Sequence, residues 1–119
     1  MTNNRPYMEE VSAVRFSKDA ALAAVAFSLK DTSGQIMLYR MFDKTGQYLL
    51  GEKKVRSAIK TWTVPECKRL GKVIDLFIFK QLVNDESQYN MYFLLERGIL
   101  YYPNIEKSVS SPQIKMDLD

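Results

Sequence analysis

The sequence predicts an α+β domain: an antiparallel β-meander, one main helix packed on one face of it, and a C-terminal hairpin. Three observations predict it. Asp31-Thr32-Ser33-Gly34 and Asp43-Lys44-Thr45-Gly46 are matching turn signatures, about twelve residues apart and flanked by branched and aromatic residues. Pro65 opens a stretch in which Cys67, Leu70, Ile74, Phe77 and Ile78 share one helical face. Glu96-Arg97-Gly98 then separates two runs rich in Tyr, Phe, Ile and Leu.

Taken in order, residues 1–10 read as a flexible arm, 11–105 as a single α+β domain and 106–119 as a loose polar and acidic tail. Val11 to Phe16 suits a short strand. Residues 20–30 carry two competing readings. Alanines and a cap at Ser17 favour a helix, whereas Val25, Phe27 and Leu29 alternate with small residues and favour a strand, which we prefer. Gln35 to Phe42 and Gln47 to Leu50 are strands by composition, and Lys53 to Thr63 extends the meander up to Val64-Pro65. The helix starts near Thr63 to Glu66, with Gly71 weakening it by about 1 kcal/mol relative to alanine. Its tail, Leu76 to Val83, is apolar all round and reads alternatively as a strand. Asn84 to Ser87 is a loop, Tyr89 to Leu95 and Ile99 to Tyr102 are strands, and Pro103-Asn104 ends the last of them.

Composition limits the chemistry. The chain of 119 residues has no histidine and one cysteine. A structural zinc site is therefore out of reach, and the usual general base near neutral pH is missing. No GxGxxG or GxxxxGK pattern cradles a phosphate. The acids are scattered through turns and termini, without the paired spacing of carboxylate catalysis. Cys67, on the apolar helical face, reads as a small buried hydrophobe. The expectation is a protein that is not an enzyme and takes no metal or cofactor. Lone-cysteine usage, a polar N-terminus and apolar runs too short to span a bilayer suggest the cytoplasm and no membrane.

Charge supplies the functional signal. The net charge is +3 and the pI about 9.0. Between positions 53 and 72, Lys53, Lys54, Arg56, Lys60, Lys68, Arg69 and Lys72 face only Glu66, a local net of +6 that leaves −3 for the rest. With Lys53 to Thr63 extended, Lys54, Arg56, Lys60 and Trp62 project from one face, while Val55, Ile59, Thr61 and Thr63 point to the core. Such a face can follow a phosphate backbone, with Trp62 stacking on a base and Tyr48 and Tyr39 as further platforms. The expected function is single-stranded DNA or RNA binding through these residues. The alternative is a protein-interaction or assembly module, for example a phage or mobile-element protein that binds or inhibits a larger complex. It would use the aromatic stretch Tyr89, Tyr92, Phe93, Tyr101 and Tyr102, which reads otherwise as core. Partners are then nucleic acid, an acidic protein surface, or a second copy in a homo-oligomer. The order of meander then helix over residues 11 to 82 is similar to that of the Whirly proteins and related single-strand-binding coactivators, a likeness of element order that implies the same nucleic-acid expectation.

Overall fold

The computed structural model describes residues 8–42, 58–107 and 112–118. They form β1 (Met8–Phe16), β2 (Leu22–Leu29), β3 (Gly34–Arg40), β4 (Lys60–Val64), a single helical turn α1 (Cys67–Leu70), β5 (Val73–Val83), β6 (Glu86–Leu95), β7 (Gly98–Tyr102) and β8 (Gln113–Asp117). The strands make two four-stranded antiparallel meanders, ordered β1-β2-β3-β4 and β5-β6-β7-β8. The protein is nearly all β, which corrects the α+β expectation.

The correction falls on residues 66–83. Gly71 adopts φ 89°, a left-handed value that ends α1 after one turn, and a side chain there would collide with Glu96. Beyond it, branched and aromatic residues favour extended backbone. Val73, Leu76 and Ile78 turn inward, whereas Ile74, Phe77 and Phe79 turn outward, with an irregularity between Val73 and Asp75 restoring the register. The strand is apolar on both faces, so its two-residue period is invisible in polarity and a helical stripe fits it by coincidence. With no helix longer than α1 among the described residues, the likeness of element order to the Whirly proteins lapses.

Local turn chemistry was the better guide. The Asp31–Gly34 turn joins β2 to β3, with Thr32 at φ 69° and the Asp31 carboxylate accepting from the Ser33 amide at 3.0 Å. Asn84 and Asp85, at φ 52° and 65°, make a two-residue hairpin turn between β5 and β6, tighter than the loop expected there. Residues 22–29 are the strand that their alternation favours. The C-terminal stretch, expected as a loose tail, pairs along β7 as β8.

The inner faces of both sheets share one core, built around Leu22, Ile36, Leu38, Leu76, Phe93 and Leu100, all fully buried. The sheets approach each other most closely at β1 and β5. Ion pairs Glu10–Lys72, Arg15–Asp75 and Asp19–Lys80 cross that seam with numbers rising together, so these two first strands run side by side in the same direction.

Candidate functional site

The sequence-predicted basic strip divides. Lys53, Lys54, Arg56 and Tyr48 lie outside the described residues. On β4, Lys60, Trp62 and Val64 sit opposite Leu38, Ile36 and Gly34, all buried positions of β3, so the even-numbered side chains turn toward the core. Thr61 and Thr63 take the solvent face. This inverts the expected parity for residues 60–64. Burying Val64 and most of an indole releases more apolar surface from water than burying two threonines, and that difference selects the face. The Trp62 ring packs 4.9 Å from Tyr102, with the Lys60 ammonium 5.9 Å from its centroid.

The remaining cations of the strip diverge. Lys68 reaches Asp31 at 3.7 Å, Arg69 reaches Asp117 at 2.6 Å, and Lys72 reaches Glu10 at 3.7 Å. These partners belong to the β2–β3 turn, β8 and β1, so the three do not form a track. Tyr39 is half-buried on the outer face of the first sheet, its hydroxyl 3.8 Å from the Met37 sulfur.

A polar knot lies at the seam between the sheets. Asp19 accepts from the Ser17 hydroxyl at 2.6 Å and the Ala21 amide at 3.1 Å, receives the Tyr89 hydroxyl, and has the Lys80 ammonium at 3.5 Å. Burial raises its pKa, but these donors outweigh burial and hold the carboxyl far below its usual range. Burial and then the Asp19 carboxylate push Tyr89 up to about 12. The knot lines a cleft of about 430 Å³ with Ile78 and Phe79. A permanently charged aspartate holding a neutral tyrosine fastens the β1–β2 turn to the β5–β6 hairpin. Burial, and then the neighbouring Glu66 charge, pushes the Cys67 thiol up to about 11, which suppresses the reactive thiolate. Among the described residues, no group of three or more Cys, Asp and Glu could hold a metal ion.

A further feature is the outer face of the second sheet. Phe77 of β5, Tyr92 of β6 and Tyr101 of β7 lie on one rung across the sheet. Leu94, Ile99 and Met116 lie on the next rung. Phe79 stacks 5.7 Å from Tyr92 and 6.5 Å from Tyr101, and the two tyrosine rings are 4.7 Å apart. Two cations rest on the ladder: the Arg15 guanidinium 5.1 Å from the Phe77 centroid, and the Lys115 ammonium 5.4 Å from that of Tyr101. Arg15 is fixed by Asp75 at 2.8 and 2.9 Å and by the Leu76 carbonyl at 3.0 Å. Lys115 is the extra residue of a bulge in β8. A groove of about 450 Å³ runs between Phe77, Tyr92, Leu94, Ile99, Lys115 and Met116.

This face is open to solvent: Phe77 and Met116 are 47% exposed, and Phe79 and Tyr92 37%. At about 200 Å² for a fully open ring or long aliphatic chain, these four and their half-buried neighbours leave about 400 Å² of contiguous apolar surface. The rings of Phe79, Tyr92 and Tyr101 lie against one another, and a cation lies over each of Phe77 and Tyr101. Sequence reasoning found Tyr92 and Tyr101 through the aromatic stretch. It missed Phe77 and Phe79 by assigning them to a helix; the signal available was a run apolar on both strand faces.

The described chain thus belongs to the class of all-β proteins made of two stacked meanders. In comparison with known proteins, no family model, curated protein or solved structure matches it.

Proposed function

We propose that this chain is a non-catalytic protein-interaction module whose recognition surface is the outer face of the β5–β8 sheet. The observation that carries the reading is the contiguous Phe77, Phe79, Tyr92, Tyr101 and Met116 surface, rich in the residue types that anchor protein interfaces. An exposed patch of aromatic and aliphatic side chains of this kind suits contact with another protein. The absence of histidine from the chain and the raised Cys67 pKa support a non-catalytic role. A cytoplasmic location forms part of the proposal, supported by the single cysteine. No described helix is long and apolar enough to cross a membrane.

The test is site-specific photo-cross-linking in cells making the protein, with a benzophenone side chain at Tyr92 and, as control, at exposed Lys30. A protein adduct stronger at Tyr92 supports the reading. No excess over Lys30, or an adduct to nucleic acid, overturns it.

A second reading, single-stranded nucleic-acid binding, is favoured by one observation, the local net charge of +6 over residues 53–72. Affinity would then fall with salt at a log–log slope of about −0.7 per phosphate contacted. Replacing Lys54, Arg56 and Lys60 together by Glu would abolish it. Binding that is weak at low salt, or unchanged in the triple variant, removes this reading.

A further inference from the structure

We infer that the outer face of the β5–β8 sheet is covered in solution by the outer face of the β1–β4 sheet of a second copy, in head-to-tail order. The inference rests on the interaction reading above and names the occupant of that face.

The first sheet has an apolar outer face of its own. Val11, Val14 and Phe16 of β1 are 53, 52 and 49% exposed. Across the strands, Val14 pairs with Val25 and Val25 with Met37, while Phe16 pairs with Ala23 and Ala23 with Tyr39. The described body is therefore apolar inside, on the outer face of the second sheet, and on the β1–β2 part of the outer face of the first, with Gln35, Thr61 and Thr63 bordering the latter; apolar surface on both sides is the pattern of a middle layer in a stack. A two-fold dimer through either face leaves the other in water, whereas head-to-tail contact covers both with one kind of interface.

Geometry favours the same pairing. Within the chain the two meanders stack with β1 and β5 side by side and parallel. Repeating that step between chains sets β1 of the next copy beside β5, and so brings Val14 and Phe16 onto Phe77 and Phe79. Four-stranded meanders stacked in this way are the repeating unit of propeller-like rings, where radial repetition protects strand edges. The area agrees as well. A standard interface covers about 800 Å² per partner, somewhat over half of it apolar. That is close to the roughly 400 Å² of apolar surface offered by the second-sheet face.

Complementation tests the inference. Val14→Glu spoils only the first-sheet face and Phe77→Glu only the second, with Tyr92→Lys as an independent second-face variant. Circular dichroism and melting check that each variant folds. In sedimentation velocity the parent should form particles larger than a dimer, and each single variant should be monomeric. An equimolar mixture of V14E and F77E, or of V14E and Y92K, should form a two-chain particle, because each partner retains the face the other lacks. A parent that is monomeric at high micromolar concentration overturns the inference. So does a V14E variant that remains dimeric with no gain on mixing, which would mean a two-fold contact through the second sheet. A monomeric parent that still cross-links another protein at Tyr92 sinks this inference while leaving the interaction reading in place; loss of both sinks both.

Discussion

Gly34→Ala tests how the helical turn seats under the first sheet. Gly34 is buried in β3 between Ser28 of β2 and Val64 of β4. A Cβ built there would meet the Cys67 sulfur at 2.7 Å. Ordinary contact lies nearer 3.6 Å, so one group must retreat by about 1 Å within a close-packed interior. Overpacking of this kind costs about 1–3 kcal/mol, and the lower chain entropy of unfolded alanine returns about 0.4–1 kcal/mol. The net expectation is a loss of about 1–2 kcal/mol. Cys67→Ala alone removes one buried heavy atom and costs about 1 kcal/mol. In the double variant the new methyl group occupies the space left by the sulfur, so its stability should lie within about 0.5 kcal/mol of Cys67→Ala. Urea denaturation followed by Trp62 fluorescence measures all four proteins. Strictly additive losses would refute the packing of Cys67 against β3.

The Arg15–Asp75 pair carries an acid dependence: the Arg15 hydrogen bond, helped by the Leu76 amide, holds the Asp75 carboxyl below its usual value. A carboxylate with a lowered folded-state pKa contributes stability above its unfolded pKa, near 3.9, and loses it as pH falls through the folded value. Arg15→Ala should cost about 1–2 kcal/mol at neutral pH after allowing for solvent screening, and should flatten the acid limb of the stability curve; an unchanged limb would contradict the assignment. The Cys67 thiol, with its pKa pushed up to about 11, should react with a disulfide reagent at pH 8 far more slowly in the native protein than in urea. Equal rates would exclude burial. Trp62→Ala should destabilise the protein by about 2 kcal/mol, and native Trp62 emission should be blue-shifted because the indole packs on Tyr102; full iodide quenching would place the ring in water.

What the sequence revealed and what it concealed follow from locality. Turns depend on two or three adjacent residues, so Asp31–Gly34 and Glu96–Gly98 were legible at once. The β2 strand was legible because its large side chains alternate with alanines. The β5 strand was not, because alternation is visible only when one face is polar, and Phe77 and Phe79 occupy the face that polarity would have marked. The parity of residues 60–64 was concealed for a different reason. Charge was taken to mark the solvent face of β4, but Trp62 and Val64 share the parity of Lys60, and burial of the larger apolar groups fixes the strand's orientation. In β8, Ile114 and Met116 alternate with Lys115 and Asp117, but the bulge at Lys115 sets Ile114 opposite Leu100 and Met116 opposite Ile99, so the alternation does not mark one face. Phe77 and Phe79 belong both to the segment that misled the fold assignment and to the candidate site.

That coincidence bears on whether the apolar face is surplus core or a working surface. Sheet proteins discourage unwanted association first at their edges. Here β1 and β5 close against each other, β4 runs for only five residues before Pro65, and β8 is interrupted by a bulge carrying Lys115. Each described edge is therefore covered, short or broken. The second-sheet face keeps Phe77, Phe79, Tyr92 and Met116 open to solvent, with the charges of Arg15 and Lys115 laid over the Phe77 and Tyr101 rings. Edges covered, short or broken beside apolar faces agree with the proposed association through those faces. If the first-sheet face offers a similar area to the roughly 400 Å² of the second, the gross gain is on the order of 20 kcal/mol against an association cost of about 4–15 kcal/mol, so the proposed face-to-face contact has enough apolar area to form.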